Sequence, residues 1–477
     1  MNKFKKVIIL LVISFPFILL LKNIITGSIP FWYDPARDLL LALDNLKKPT
    51  LIGPPTGIPN IFYGPYWIWF LSLPLLVTHD PRFVTSIVLL IPNAFIFPLI
   101  FFKLFNKNII FASLMWLLFF FSNFLGIYAT QLWNPHLTPL FYLMLIFIIV
   151  RKHSTFWYLG GGFISGLIAN IHVSFGVGVI LASILFIVFK YFRSPTLIFS
   201  FILGVIISFL PNIIFEARHG FNQTKALFYT LENGFLYNSA VVGVTGLSKD
   251  QILSKTLSLI PQLTSLPSFF IYILLIIPLI RLRHLTKEQK TLFHFLLLTI
   301  ITVFTIYINN RNPVWDYHFI GLETAFLILL TILVSNINWF KLLLIFWLIV
   351  LTIDFSQKEI KNLTQNPFAL PTLNTKEYII EKIYLDAGKN KFDISVYSPA
   401  IYTFDYDYLI AWQGKEKYGF IPEKDGSSKK IKYLIIPETD ESIMLDFINY
   451  KTPNDQYQTS NTWKIPDKTT IIKREKK

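Results

Sequence analysis

Apolar runs of about the length needed to cross a lipid bilayer recur through the first three-quarters of this chain, and no single motif constrains its fold as much. A hydrocarbon core of roughly 30 Å takes about 20 apolar residues as a helix, because no backbone N–H or C=O is tolerated unpaired there. Runs approaching that length, several of them short, lie at 7–26, 83–102, 110–129, 137–150, 156–173, 176–189, 195–215, 268–280, 291–308, 318–335 and 340–355. Over 477 residues, 53% are hydrophobic and 15% charged, whereas soluble chains carry charge on about a quarter of their residues. A soluble enzyme is therefore excluded. Cysteine is absent, which also excludes disulfides, thiolate nucleophiles and cysteine metal ligands.

The formal charge of +15 has to be divided between two membrane faces before it says anything about partners, since basic residues concentrate in cytoplasmic loops. The run 62–77 (FYGPYWIWFLSLPLLV) decides that division. If it does not cross, Lys3, Lys5, Lys6, Lys103, Lys107, Arg151, Lys152, Lys190, Arg193, Arg281, Arg283, Lys287 and Lys290 share the inner face with Glu288 as the one opposing acid. If it crosses, every basic cluster after the first moves outside. The run is therefore placed at the outer interface, its aromatics at headgroup depth. This reading gives eleven crossings, an inside N-terminus and an outside C-terminus; a twelfth helix is the alternative. The opening Met-Asn-Lys-Phe-Lys-Lys resembles a signal peptide, but no small-x-small site follows and Lys22 sits late in the run, so a retained first helix is expected.

With that topology the outer face owns 27–82, 130–136, 216–267, 309–317 and everything after 355. The expected fold is an α-helical polytopic membrane protein, residues 1–355, with a first outer loop at 27–82. A small extracytoplasmic α+β domain at 356–477 follows, because FDISVYS (392–398), KYLIIP (432–437) and TTIIK (469–473) read as strands between turn signals. A loosely ordered lysine-rich extension is the competing reading of that tail.

Polar islands capable of chemistry all fall on the outer side. In WYDPARDLLLAL, Asp34 is expected to cap the helix that Pro35 begins, and Asp38 lies one turn on along the same face. Two such carboxylates can raise each other's pKa, hold a divalent cation or act as base and orienting group; alternatively Asp34 only caps and Asp38 pairs with Arg37. FYGPYW brings Tyr63 and Trp67, aromatics that commonly serve as interface anchors. LWNPHLTP supplies Asn134 and His136, and ANIHVSF places His172 at a helix end. FEARHGF adds Arg218, a planar fork suited to a phosphate, and NNRNPVWDYHF adds Arg311, Asp316 and His318. Glu323 lies deeper and needs a partner such as His318 or His172, or a proton. Each also has a plain structural use: a satisfied carbonyl, a helix-to-helix bond or a charged rim. The His, Asp and Glu residues are too scattered to specify a metal site, and no phosphate-loop, dinucleotide or serine-elbow motif is present.

Taken together, WYDPARDLLLAL, FYGPYWIWFLSLP, the basic turn FFKLFNKN, LWNPHLTP, ANIHVSF and the tail segments DAGKNKFDISVYSP and YDYLIAWQGKEKYG resemble the GT-C superfamily of polytopic glycosyltransferases. The likeness is to the group that includes protein O-mannosyltransferases and the aminoarabinose transferase acting on lipid A. It implies a GT-C-like fold in the cell membrane and transfer of a sugar from a polyprenyl-phosphate-linked donor to a lipid, glycan or protein acceptor, with no nucleic acid involved. It further implies that Asp34 is the general base or positions the acceptor. Many members have a second aspartate after the third helix, where this chain offers Asn134 and His136. In that scheme Asp38 and His172 join Asp34 in catalysis. Arg218 or Arg311, with His172, stabilises the lipid phosphate, and Asn134, His136, Asp316, His318, Glu323, Tyr63 and Trp67 line the substrate. A transporter or flippase for a lipid-linked saccharide is the other class of answer; it would call for an internal repeat and a polar path to both faces, and no repeat is visible.

Overall fold

The structure, a computed structural model, describes residues 3–151, 154–192, 194–233, 247–264, 285–309, 314–335, 337–364, 366–399 and 402–477. The expected run 268–280 and Arg311 lie outside them. Elsewhere each apolar run coincides with helix. The first is α1 (Lys3–Ile25), which passes through Pro16. Helices α2 (Tyr33–Lys47) and α3 (Tyr66–Leu75) follow, packed on each other. Among the described residues five helices are long and apolar enough to cross a membrane, or up to seven if two bent pairs each count as one span. The expected eleven is thus not reached by length and composition.

Two runs read as single spans are broken, each for a local reason. Helices Ile109–Phe121 and Phe124–Thr130 meet at 69°, where Asn123 takes a left-handed φ of 68° that asparagine tolerates better than most residues. Helices Pro195–Ser208 and Leu210–Arg218 meet at 52°, because Pro211 has no N–H to continue the ladder and starts a new helix well. Pro92 similarly sits inside a π-helical stretch, Ser86–Ile96, within the span Pro81–Leu104. The last long helix, Asn338–Thr364, continues past residue 355.

Residues 373–477 form a five-stranded sheet with helices Leu373–Ala387, Phe404–Glu416 and Glu441–Lys451. The strand order is β2 (Glu423–Lys424), β1 (Phe392–Val396), β3 (Ile431–Ile436), β5 (Thr470–Lys476), β4 (Tyr457–Lys464). β1 runs parallel to β2 and β3, and β5 runs antiparallel to β3 and β4. Tyr433, Leu434, Ile435 and Ile436 of β3 are all buried, as a strand covered on both faces requires.

This unit is fastened onto the helical part beside α2. Leu373 N donates to Ile29 O at 3.0 Å, and Asn374 N to Gly27 O at 3.0 Å. Gly27 has φ 69°, and a Cβ there would lie 2.8 Å from Arg82 and 3.1 Å from Asn374, so only glycine fits this splice. Arg82 pairs with Glu377 and Asp80, His79 pairs with Glu416, and Tyr408 donates its hydroxyl to His79 O at 2.6 Å. One hydrophobic core runs continuously from α1 to Ile471.

Candidate functional site

The site begins with how α2 starts. Its N-cap is Trp32, with no side-chain capping bond, so Asp34 lies inside the first turn and is not the cap the sequence suggested. The reason is Arg37, one turn on, which takes the carboxylate instead: Nη1 lies 2.8 Å from Asp34 Oδ1. The same guanidinium reaches Asp38 Oδ1 through Nη2 at 2.7 Å and Nε at 2.8 Å. Trp67 of α3 completes the group by donating its indole N–H to Asp38 Oδ2 at 2.8 Å. A half-buried planar fork between two carboxylates is the arrangement for which arginine is suited and lysine is not.

The two aspartates are not equivalent. Asp38 is fully buried, whereas the Asp34 side chain keeps 16% of its surface exposed. Burial pushes the Asp38 carboxyl from its ordinary 3.8 up to about 6, against the pull of Arg37 and Trp67. Burial works to lower Arg37, but Asp38 and then Asp34 hold it above its ordinary value. Trp32 lends Asp34 a long indole contact, 3.4 Å to Oδ2, so a second face of that carboxylate is lightly held.

The 53–64 loop closes over this group. Gly64 N donates to Asn170 O at 2.9 Å, and a Cβ on Gly64 would fall 1.8 Å from Asn170 Oδ1. That contact seats Tyr63 within electrostatic reach of Arg37, Asp34 and Asp38 and in hydrogen bond with Asn134; burial pushes its hydroxyl up to about 12, so it stays protonated at neutral pH. Asn134 also donates to Ile171 O at 2.6 Å. Two of the aromatics of 62–77 turn into the protein: Trp67 is fully buried, and Tyr66 donates to Ser208 O at 2.8 Å. Leu73, Leu76 and Val77 form exposed apolar surface.

A second cluster adjoins through aromatic contacts. Trp133 lies edge-on to Trp32 at 6.5 Å, to His136 at 5.5 Å and to Tyr317 at 5.2 Å. His136 is buried, with Nδ1 2.7 Å from Gln131 O. His172 is buried at the corner between helices Thr155–Ile171 and Val173–Tyr191, with Nε2 3.0 Å from Ser174 Oγ. It lies within electrostatic reach of His318 and His136, and His318 Nδ1 accepts from Trp315 N at 3.2 Å. The partner of Glu323 is not one of the histidines: its Oε2 accepts from Gly321 N at 2.8 Å, with Tyr128 beside it.

Arg218 and Asp316 stand apart from the acid group. Arg218 is exposed at the end of its helix, while its neighbour Glu216 accepts from Thr224 N at 2.8 Å and Gln223 N at 3.2 Å, tying down the next helix. Asp316 is exposed and pairs with Lys255 at 3.3 Å. Near Arg218 a cavity of about 780 Å³ opens between the 59–62 segment and helices Leu210–Arg218 and Asn222–Asn233, lined by Asn60, Phe62, Phe215, His219, Lys225 and Tyr229. Among the described residues no group of three or more His, Asp or Glu side chains comes together as a metal site would need. Between Asp34 and Asp38 the place a cation would take is filled by Arg37. The pairing of Asp38 with Arg37, one of the two readings of the sequence, is present; what the sequence did not reveal is that Arg37 also takes Asp34 and that Trp32 contacts it, for which the Asp-x-x-Arg-Asp spacing was the available signal.

No family model matches the chain, and no curated protein matches it by sequence. Solved structures match it in fold. ArnT from Cupriavidus metallidurans bound to undecaprenyl phosphate superposes with a TM-score of 0.54 at 8% identity, covering 97% of each chain. The chain has the ArnT fold. ArnT from the same organism in the apo state gives a TM-score of 0.52 at 9% identity, covering 96% of this chain and 97% of that one. Helical part and terminal sheet alike are thus spanned by ArnT, and the expected order of a helical polytopic part followed by a small α+β unit is matched over essentially the full length.

Proposed function

We propose that this chain transfers a sugar from a polyprenyl-phosphate carrier to an acceptor hydroxyl on the outer face of the membrane, with Asp34 as general base. The observation that carries the reading is the Asp34–Arg37–Asp38–Trp67 group at the head of the first loop, in a fold shared with an ArnT structure bound to undecaprenyl phosphate. Asp34 keeps an exposed edge and Asp38 does not, so Asp34 meets substrate while Asp38 positions Arg37. In the reaction the acceptor oxygen attacks the anomeric carbon, its proton passes to Asp34, and the bond from that carbon to the carrier phosphate breaks. Polyprenyl phosphate leaves as an anion, so it needs positive charge more than an acid. His219 and Lys225 around the cavity, and Arg218 beside it, are candidates for that duty. Asn134, through Tyr63, and His136, through Trp133 and Trp32, adjoin the acid group, and His172 and His318 are offered as further lining of the substrate.

The test is incubation of the purified protein with a panel of radiolabelled polyprenyl-phosphate sugars. Release of polyprenyl phosphate with sugar transfer or hydrolysis supports the reading. Movement of intact donor across sealed vesicles without bond cleavage would replace it with transport.

A further inference from the structure

Away from the acid group, a pocket of about 380 Å³ opens between the C-terminal end of α1, the bend at Asn123 and the second half of helix Asn338–Thr364. Its floor is aromatic. Phe120, Phe121 and Phe355 have ring centroids 5.2, 5.5 and 5.7 Å apart in their three pairings. Its rim is polar, with Asn23, Asn123, Asp354, Lys358 and Glu359. Two ion pairs cross that rim: Lys22 with Glu359 at 3.6 Å, and Lys358 with Asp354 at 2.7 Å.

The surface around the pocket changes character at this level on both helices. Before it along each chain lie exposed apolar side chains, Leu10, Leu11 and Ile18 on α1 and Leu342, Phe346 and Ile349 on Asn338–Thr364. Between Lys6 and Lys22 on α1, and between Lys341 and Asp354 on Asn338–Thr364, neither helix carries a charged residue. Such a change marks the depth where acyl chains give way to headgroups.

We infer that this pocket holds the headgroup of a zwitterionic glycerophospholipid. Its ammonium sits against the aromatic floor between Asp354 and Glu359, where ring faces and carboxylates both attract a cation. Its phosphate turns to Lys22 and Lys358, and its acyl chains lie along the apolar faces of the two helices. The exposed lysine–carboxylate pairs are weak, so they exchange partners with the headgroup at little cost. Two lysines against two acids leave the rim balanced, which matches a zwitterion and gives an anionic headgroup two carboxylates to avoid. The inference does not depend on sugar transfer.

Native mass spectrometry of the full-length protein with phosphatidylethanolamine and phosphatidylglycerol of identical acyl chains tests it. The ethanolamine lipid should be retained about tenfold more tightly, equivalent to one decade in Kd. Combining Asp354→Asn with Glu359→Gln should bring the two lipids to equal retention. Both side chains lie at the surface, and the lipid comparison on the unaltered protein needs no variant. Equal retention by the unaltered protein, or an undiminished preference in the double variant, would overturn the inference.

Discussion

Arg37 is where the acid group is won or lost. It holds two carboxylates at once, one of them fully buried, so removing it strands the charge of Asp38. Arg37→Gln should cost about 3–5 kcal/mol, the usual loss when one partner of a buried pair is deleted. Adding Asp38→Asn should recover a substantial part of that, as thermal unfolding of the purified variants would show. The protonation of Asp38 carries a further expectation. Burial raises its carboxyl from 3.8 to about 6, so the folded protein binds this proton more tightly than the unfolded chain does. The stability so gained is complete below 3.8 and is lost as pH rises through about 6. The melting temperature of wild type minus that of Asp38→Asn should fall across that window. A flat difference would show that Asp38 stays ionised throughout. In the sequence, the spacing of Asp34 and Asp38 placed them on one face, but not which of them reached the surface. That depends on Trp67, brought over by α3 from 29 positions away.

At the scale of elements, apolar pattern was legible and pairing was not. β1, β3 and β5 were visible as short β-branched runs because they are covered by helices and neighbouring strands. β4, Tyr457–Lys464, reads YQTSNTWK and is almost wholly exposed at the sheet edge, so it carries no hydrophobic signal. The breaks at Asn123 and Pro211 were likewise hidden inside runs whose composition alone looks continuous. The docking of the terminal unit rests on contacts no local pattern announces. Arg82 Nη1 lies 2.8 Å from Glu377 Oε1, and Gln413 Nε2 donates to the same oxygen at 3.0 Å. Glu377→Gln keeps the shape but removes the charge facing a largely buried arginine. It should cost about 1–3 kcal/mol, read as a lower melting temperature, while Lys417→Gln at the exposed pair with Glu381 should change little. Equal effects would mean that Arg82 does not carry the docking.

For the whole molecule, the division of basic residues between faces organised the sequence reading, and the ArnT fold at 8% identity shows how little of such an architecture is written in particular residues. Apolar runs, turn chemistry and a few close approaches such as Gly64 on Asn170 suffice to preserve it. Sidedness is directly testable because the chain has no cysteine to give background labelling. Ser28→Cys and Lys389→Cys should react with a membrane-impermeant maleimide added to intact cells, and Lys107→Cys should react only after lysis. All three positions are exposed, so the reverse pattern would invert the topology. The most direct measurement is sugar transfer by Asp34→Asn, reconstituted in vesicles with the active polyprenyl-phosphate donor. Transfer should be abolished while membrane insertion and carrier binding persist; full turnover by that variant would contradict the role given to Asp34 and the mechanism built on it.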